Sequence, residues 1–312
     1  MTFKHLFLST IVSLMLYAPN LNAQLPDVEI MHERRGDKSI SFTYRKNKPG
    51  TYYLNLEFPD LKNANHGDYQ QILDHDFGNL TVLRPINREE EVGYSYTFSY
   101  IRGVPNPEVH TTFKYLLPIK PSQTARIVET TQQNAITAQS TSVTNWISYI
   151  ITKGESFSVH AMRKGVVVEV SDATKDSLSP DHRNSIMIEH IDGTYANYQG
   201  VKAMQVAPGE KVFPGQHLGN AQSFGNQKYR LDFYINYIYS EKFEGNRKNA
   251  LKNDEANFKF LKPVFYTENY TGTIDSGKEY IMEVTEEVFT QDFSRRDLRK
   301  FRKDPQQFNW SN

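Results

Sequence analysis

Val206-Ala207-Pro208-Gly209-Glu210-Lys211-Val212-Phe213-Pro214-Gly215-Gln216-His217-Leu218-Gly219 holds two Pro-Gly turns separated by only four residues. Proline presets φ near the turn value, and glycine takes the positive φ that the next position needs. Two such Gly-closed turns, with Val212 and Leu218 as the apolar residues beside them, build a tight corner between strands. Strand signals surround this corner. Residues 166–170 are a continuous β-branched run broken only by Glu169, residues 186–188 lead into an Asp192-Gly193 turn, and residues 231–239 close the region.

The N-terminal part follows a period of two. Ile40, Phe42 and Tyr44 alternate with Ser41 and Thr43. Tyr52, Leu54, Leu56 and Phe58 alternate again after a Pro49-Gly50 turn, as do Tyr94, Tyr96, Phe98 and Tyr100. Strands with one buried and one wet face, separated by turn signals, predict a mostly β protein with an immunoglobulin-like antiparallel sandwich over residues 24–120. Residues 121–145 are rich in Gln, Thr, Ser and Ala. They read as a linker, with 125–138 open to a helical reading. A second strand-rich region spans 146–240. A C-terminal extension, 241–312, begins with a hydrophilic loop, continues with strands near 258–266 and 280–288, and ends in a basic helix with Ser294 as its cap and Asp297 three residues on.

Lys4 and His5 precede an apolar run over residues 6–18, with Ala23 as a small exit residue. This predicts a signal peptide over 1–23, too short to span a bilayer, and export to the periplasm or beyond. The chain has no cysteine, so an exported form relies on its cores and not on disulfides. Lys plus Arg and Asp plus Glu each number 36, which gives no net field toward nucleic acid or anionic lipid. No later segment is apolar enough to be a transmembrane span.

Residues 154–236 resemble the lysostaphin-type zinc metallopeptidases, whose fold cuts the peptide cross-links of bacterial cell walls. Lys164-Gly165-Val166-Val167-Val168-Glu169-Val170 is similar to that family's "DGVVxxV" strand. Residues Asn184 to Tyr195 look like its "NxVxIxHxxGxY" hairpin, and Val206 to Gly219 like its "VkxGqkVkkGqxIG" corner. The resemblance implies the barrel-sandwich fold, a cell-envelope setting, and peptidoglycan or an envelope protein as partner. Degenerate members of the family bind and activate wall hydrolases.

The same resemblance implies that the catalytic residues are missing. A catalytic zinc needs three protein ligands and an open position for water. The family's Tyr-x-His-Leu motif falls on Tyr198-Gln199-Gly200-Val201, so Gly200 stands where a catalytic histidine is expected. Its His-x-His strand falls on Arg230-Leu231-Asp232. Arg230 cannot act as a base, and Asp232 cannot hold a metal alone. The His-x-x-x-Asp pair falls on Thr144 and Ser148. No cofactor is therefore expected, and Arg230 can pair with Asp232 along the strand. Tyr198, Tyr229, Arg230 and Asp232 are the candidates for a retained ligand groove, since aromatics with polar tips suit glycan or peptide. A relocated metal site among His160, His182, His190 and His217, an Asp181-His182 dyad, the Arg35-Gly36-Asp37 tripeptide and the basic C-terminal helix have blander readings as core or solvated residues. Three functions stay open: a non-catalytic binding or scaffolding protein, an endopeptidase with displaced ligands, and a purely structural envelope module.

Overall fold

The computed structural model describes residues 25–131, 146–172, 184–225, 227–240 and 257–308. The expected signal peptide, Thr144, the Asp181-His182 loop and the hydrophilic loop after residue 240 lie outside the described residues. The protein is mostly β, as the periodicity predicts.

The N-terminal strands form two antiparallel three-stranded sheets. One has β2 (Ile40–Lys46) between β1 (Val28–Arg34) and β5 (Phe77–Leu83), and the other has β3 (Tyr52–Glu57) between β4 (Tyr69–Leu73) and β6 (Thr97–Arg102). Ile40, Phe42 and Tyr44 meet Tyr52, Leu54 and Leu56 in one apolar core, the alternating sets read from the sequence. Tyr94 and Tyr96 fall before β6 and instead pack their rings on Phe42 and His32.

The second core is built on one large sheet. Its path runs through β15 (Lys211–Val212), β11 (Gly165–Ser171), β12 (Ser185–Glu189), β13 (Tyr195–Gln199), β17 (Tyr229–Tyr239), β9 (Ile147–Lys153), β8 (Thr124–Thr131) and β21 (Glu279–Ile281). A second branch, β10 (Ser158–His160), β14 (Val201–Lys202) and β16 (His217–Ser223), closes over it and joins β17 at Gln222–Arg230. The two Pro-Gly turns flank β15, Pro208-Gly209 leading into it and Pro214-Gly215 leading from it to β16, with Gly209 and Gly215 both at positive φ, so the corner is the one expected.

The linker expected over 121–145 does not hold for its described part, and neither does a helix from residue 125. Thr124–Thr131 is a strand paired with β9 and β21. Ala125 and Ile127, two residues apart, are buried in the large core, and that period of two overrides the polar composition. Residues 113–119 go with this core too, and Lys114–Tyr115 (β7) lies parallel to β19 (Val264–Thr267). The expected strand over 280–288 is short, β21, and is followed by a single-turn helix α1 (Glu286–Phe289). The final helix α2 (Arg295–Lys303) has the capping box read from Ser294 and Asp297.

One buried cation joins these parts. Arg163, fully buried, donates from Nη1 to Tyr115 Oη and Asp192 Oδ2, both at 2.9 Å, and from Nε to Asp292 Oδ2 at 2.6 Å. Its guanidinium lies 3.8 Å from the Phe113 ring centroid. Burial alone would lower its pKa, but Asp292, Tyr115 and Asp192 outweigh burial and raise it. Burial would likewise raise Asp192; Arg163 and the Thr194 hydroxyl instead hold it down to about 2. Next to this cluster, burial and then Arg163 push His190 down to about 3, so its imidazole is neutral and its Nδ1–H donates to the Lys164 carbonyl at 2.9 Å.

Arg163→Met is expected to destabilise the fold by about 3–5 kcal/mol in urea unfolding, because it leaves two carboxylates without their cation. For His190 the folded pKa lies below the unfolded value of 6.5. Its stabilisation is therefore complete above pH 6.5 and is lost as pH falls from there toward about 3. His190→Asn should flatten the stability profile between pH 6.5 and about 4; an unchanged slope would exclude His190 as its source.

Candidate functional site

The strand that decides the site is β17. It is hydrogen-bonded to β13 on one side and β9 on the other, so its side chains alternate between two faces in a fixed register. Leu231, Phe233 and Ile235 enter the core. Arg230, Asp232 and Tyr234 take the opposite face. There Arg230 stands opposite Thr152, Asp232 opposite Ile150 and Gln199, and Tyr234 opposite Asn197. Gln199 reaches the Tyr234 hydroxyl at 3.5 Å, and burial, partly offset by that contact, raises Tyr234 to about 12.

Arg230 and Asp232 form a two-pronged ion pair. Arg230 Nε donates to Asp232 Oδ1 at 2.6 Å and Nη2 to Oδ2 at 2.9 Å. Residues i and i+2 of a strand stand about 7 Å apart, so the guanidinium folds back along the strand to make this contact. Phe224, 55% exposed, lies under the guanidinium at 4.8 Å. The pairing expected from the sequence is therefore present, in the bidentate geometry that guanidinium and carboxylate prefer.

These residues do not fit a catalytic zinc. Both oxygens of Asp232 face a fixed cation, and zinc would be repelled by the same guanidinium. Gly200, at the expected histidine position, has φ +82°, and a Cβ there would come within 2.8 Å of the Arg230 carbonyl oxygen. The backbone itself leaves no room for a side chain, so the path of the chain between β13 and β14 accommodates no histidine at this position. Ser148 is buried, with its hydroxyl 2.7 Å from Thr130 Oγ1, a neutral pair between β9 and β8. Among the described residues no group of three or more His, Asp or Glu could hold a metal.

Two of the four groove candidates are corrected by the register. Tyr198 stands opposite Phe233, fully buried, and its hydroxyl accepts the Met162 N–H at 2.9 Å. Tyr229, one residue from Arg230, lies on the other face, packed on the core with the Lys202 ammonium 5.5 Å from its ring centroid. Neither tyrosine can share a surface with Arg230 and Asp232. Their place is taken by residues the sequence did not single out. Trp146 and Phe260 pack on the Tyr234 ring with centroids 5.0 and 5.5 Å away, and Trp146 meets Phe260 at 4.8 Å. Phe224, Arg230, Asp232, Tyr234, Trp146 and Phe260 thus form one row along β17. Phe260 reaches it through β18 (Asn257–Leu261), whose pairing with β17 puts Phe260 opposite Asn236.

The histidines do not form a rival centre. His190 is buried beside Arg163. His160 Nδ1 donates to the Gly215 carbonyl at 2.7 Å, and its ring lies 5.5 Å from that of His217 across β10 and β16. The Arg35-Gly36-Asp37 tripeptide is the turn between β1 and β2, where Asp37 accepts the Ser39 N–H and hydroxyl.

Two substitutions test this geometry. Gly200→Ala is expected to cost about 1–3 kcal/mol for the positive φ alone. Arg230→Ala should cost about 1.5–3 kcal/mol, as a charged hydrogen-bonded pair is lost. Both can be read from urea midpoints, and an Arg230→Ala protein of unchanged midpoint would show the pair to be dispensable.

The family model for Peptidase family M23 matches residues 146–247. Among solved structures, a chain of the SpoIIQ–SpoIIIAH pore-forming complex is similar with TM-score 0.31 at 20% identity, covering 40% of this chain and 85% of that one. Pseudoalterin, an M23 metalloprotease from the deep sea, has TM-score 0.31 at 15% identity, with 55% and 99% covered. Csd3 of Helicobacter pylori, in its orthorhombic crystal, has TM-score 0.29 at 10% identity, with 91% and 84% covered. No curated protein matches the chain.

Proposed function

We propose that this chain, whose residues 146–247 match the model for peptidase family M23, is a non-catalytic pseudo-peptidase of the bacterial cell envelope that uses the outer face of β17 to bind peptidoglycan. The observation that carries this reading is the Arg230–Asp232 ion pair standing where the family's metal-binding strand would present histidines. A guanidinium and a blocked Cβ position supply neither a zinc ligand set nor a general base. What remains on that face is a row suited to holding a ligand. Phe224, Tyr234, Trp146 and Phe260 offer ring faces against which sugar or peptide can pack, and the ion pair sits among them as the polar anchor. An M23 domain that binds wall material without cutting it is a scaffold or an activator of hydrolases that do cut.

The purified chain should contain far less than one zinc per molecule after incubation with the metal, leave cross-linked peptidoglycan uncut, and sediment with insoluble peptidoglycan. Phe224→Ala, an exposed change, should weaken that sedimentation roughly two- to tenfold, the worth of one aromatic contact. Stoichiometric zinc together with cleavage would overturn the reading. Metal-free protein that fails to sediment with peptidoglycan would leave an envelope protein as the ligand of this face and would refute peptidoglycan.

A further inference from the structure

Helix α2 carries charges that its own stability argues against. At 100° per residue, Arg302, Arg295, Arg299, Lys303, Arg296 and Lys300 fall within an arc of about 160°, and all six are exposed. The opposite side is fully used. Phe301 is buried and Leu298 packs beside it, against Phe289, Phe293 and Phe308. Asp297 accepts from Lys164 at 2.7 Å and closes the capping box with Ser294. The helix is thus anchored by one side and holds its cationic side out.

The helix dipole favours only the last-turn cations of that side, Lys300, Arg302 and Lys303. Among the described residues no carboxylate lies within ion-pair distance of any of the six. Arg295–Arg299, Arg296–Lys300 and Arg299–Lys303 are like charges at i,i+4, and Arg296–Arg299, Arg299–Arg302 and Lys300–Lys303 at i,i+3. Both spacings repel. Arg295 and Arg296 also stand in the first turn, at the positive end of the helix dipole. A local rule broken this often, in a chain whose formal net charge is +0, marks a feature kept for something outside the fold.

We propose that the cationic face of α2 docks on an anionic phospholipid bilayer. The complementary chemistry is phosphate. The face is the convex side of a regular helix, which fits a plane of many headgroups better than one ligand in a cleft. The helix's apolar side is committed to Phe289, Phe293 and Phe308, so the attachment is electrostatic, reversible and without insertion. This proposal is independent of the reading of β17.

The test is co-sedimentation of the whole chain with phosphatidylcholine vesicles, with and without phosphatidylglycerol. Binding is expected only when phosphatidylglycerol is present, and it should fall steeply with salt. Arg295→Gln with Arg299→Gln and Arg302→Gln should weaken it roughly a hundredfold, about fivefold per charge. Lys62→Gln with Arg84→Gln and Arg88→Gln, three exposed cations elsewhere, should leave it unchanged. Equal binding by both triple variants, binding to phosphatidylcholine alone, or retention on heparin without vesicle binding would each overturn the proposal.

Discussion

The Arg163 guanidinium, sealed from solvent between β10 and β11, is the constraint around which the second core is arranged. A cation so buried is tolerable only with carboxylates and acceptors on it, and these come from distant stretches of chain. Tyr115 belongs to the segment that leaves the N-terminal sandwich, Asp192 to the hairpin between β12 and β13, and Asp292 to the segment before α2. None of the three can move away without stranding a charge. Asp192 is itself fixed by the Thr194 hydroxyl at 2.7 Å and by the His110 N–H. The hairpin, the C-terminal elements and the connecting segment therefore share one polar centre, and the phenylalanine cluster under α2 packs beside it, with the Lys164 ammonium 5.5 Å from the Phe293 ring centroid.

Around this centre, the positions where the family resemblance would place zinc ligands carry protein contacts instead. A zinc ion would tie neighbouring strands together through its ligands. Here these positions carry ordinary protein contacts. Arg230 is clamped to Asp232, Ser148 is bonded to Thr130, and the chain at Gly200 passes so close to the Arg230 carbonyl that only a glycine fits. The three changes are mutually consistent. Restoring one histidine at Gly200 would meet the backbone before it met a metal, so the altered positions behave as a set.

The architecture was legible in the sequence where local chemistry decides it. The Pro-Gly corners, the alternating strands of the sandwich, the Arg230–Asp232 pair and the cap of α2 all follow from short-range spacing, and each is present. Features that depend on long-range pairing were not legible. A polar composition hid the strand at Thr124–Thr131, whose burial of Ala125 and Ile127 appears only when β9 lies beside it. Tyr198 and Tyr229 looked like groove residues because they flank the altered positions. Which face each one takes is set by the register of β13 and β17, and that register sends both to the core. Trp146 and Phe260 are 114 residues apart in sequence and meet only through the pairing of β17 with β18.

A formal net charge of +0 conceals how unevenly the charges are used. In the interior and along β17 they are spent in pairs: Arg163 with two aspartates, Lys164 with Asp297, Arg102 with Glu169 and Asp27, Arg230 with Asp232. Each of those pairs holds two separate parts of the chain, or two strand positions, in one geometry. On α2 six cations share one face with no such partner among the described residues, and Asp297, the one acidic residue within the helix, is already taken by Lys164 and the cap. Fields of paired charges cancel within a few ångströms, whereas an unpaired cluster on a convex surface projects to about a Debye length. The α2 face is therefore a strongly directional cationic patch. Because Arg163 and Lys164 bind the segment before α2 and the helix itself to the second core, a contact made by that patch also fixes the orientation of the β17 face.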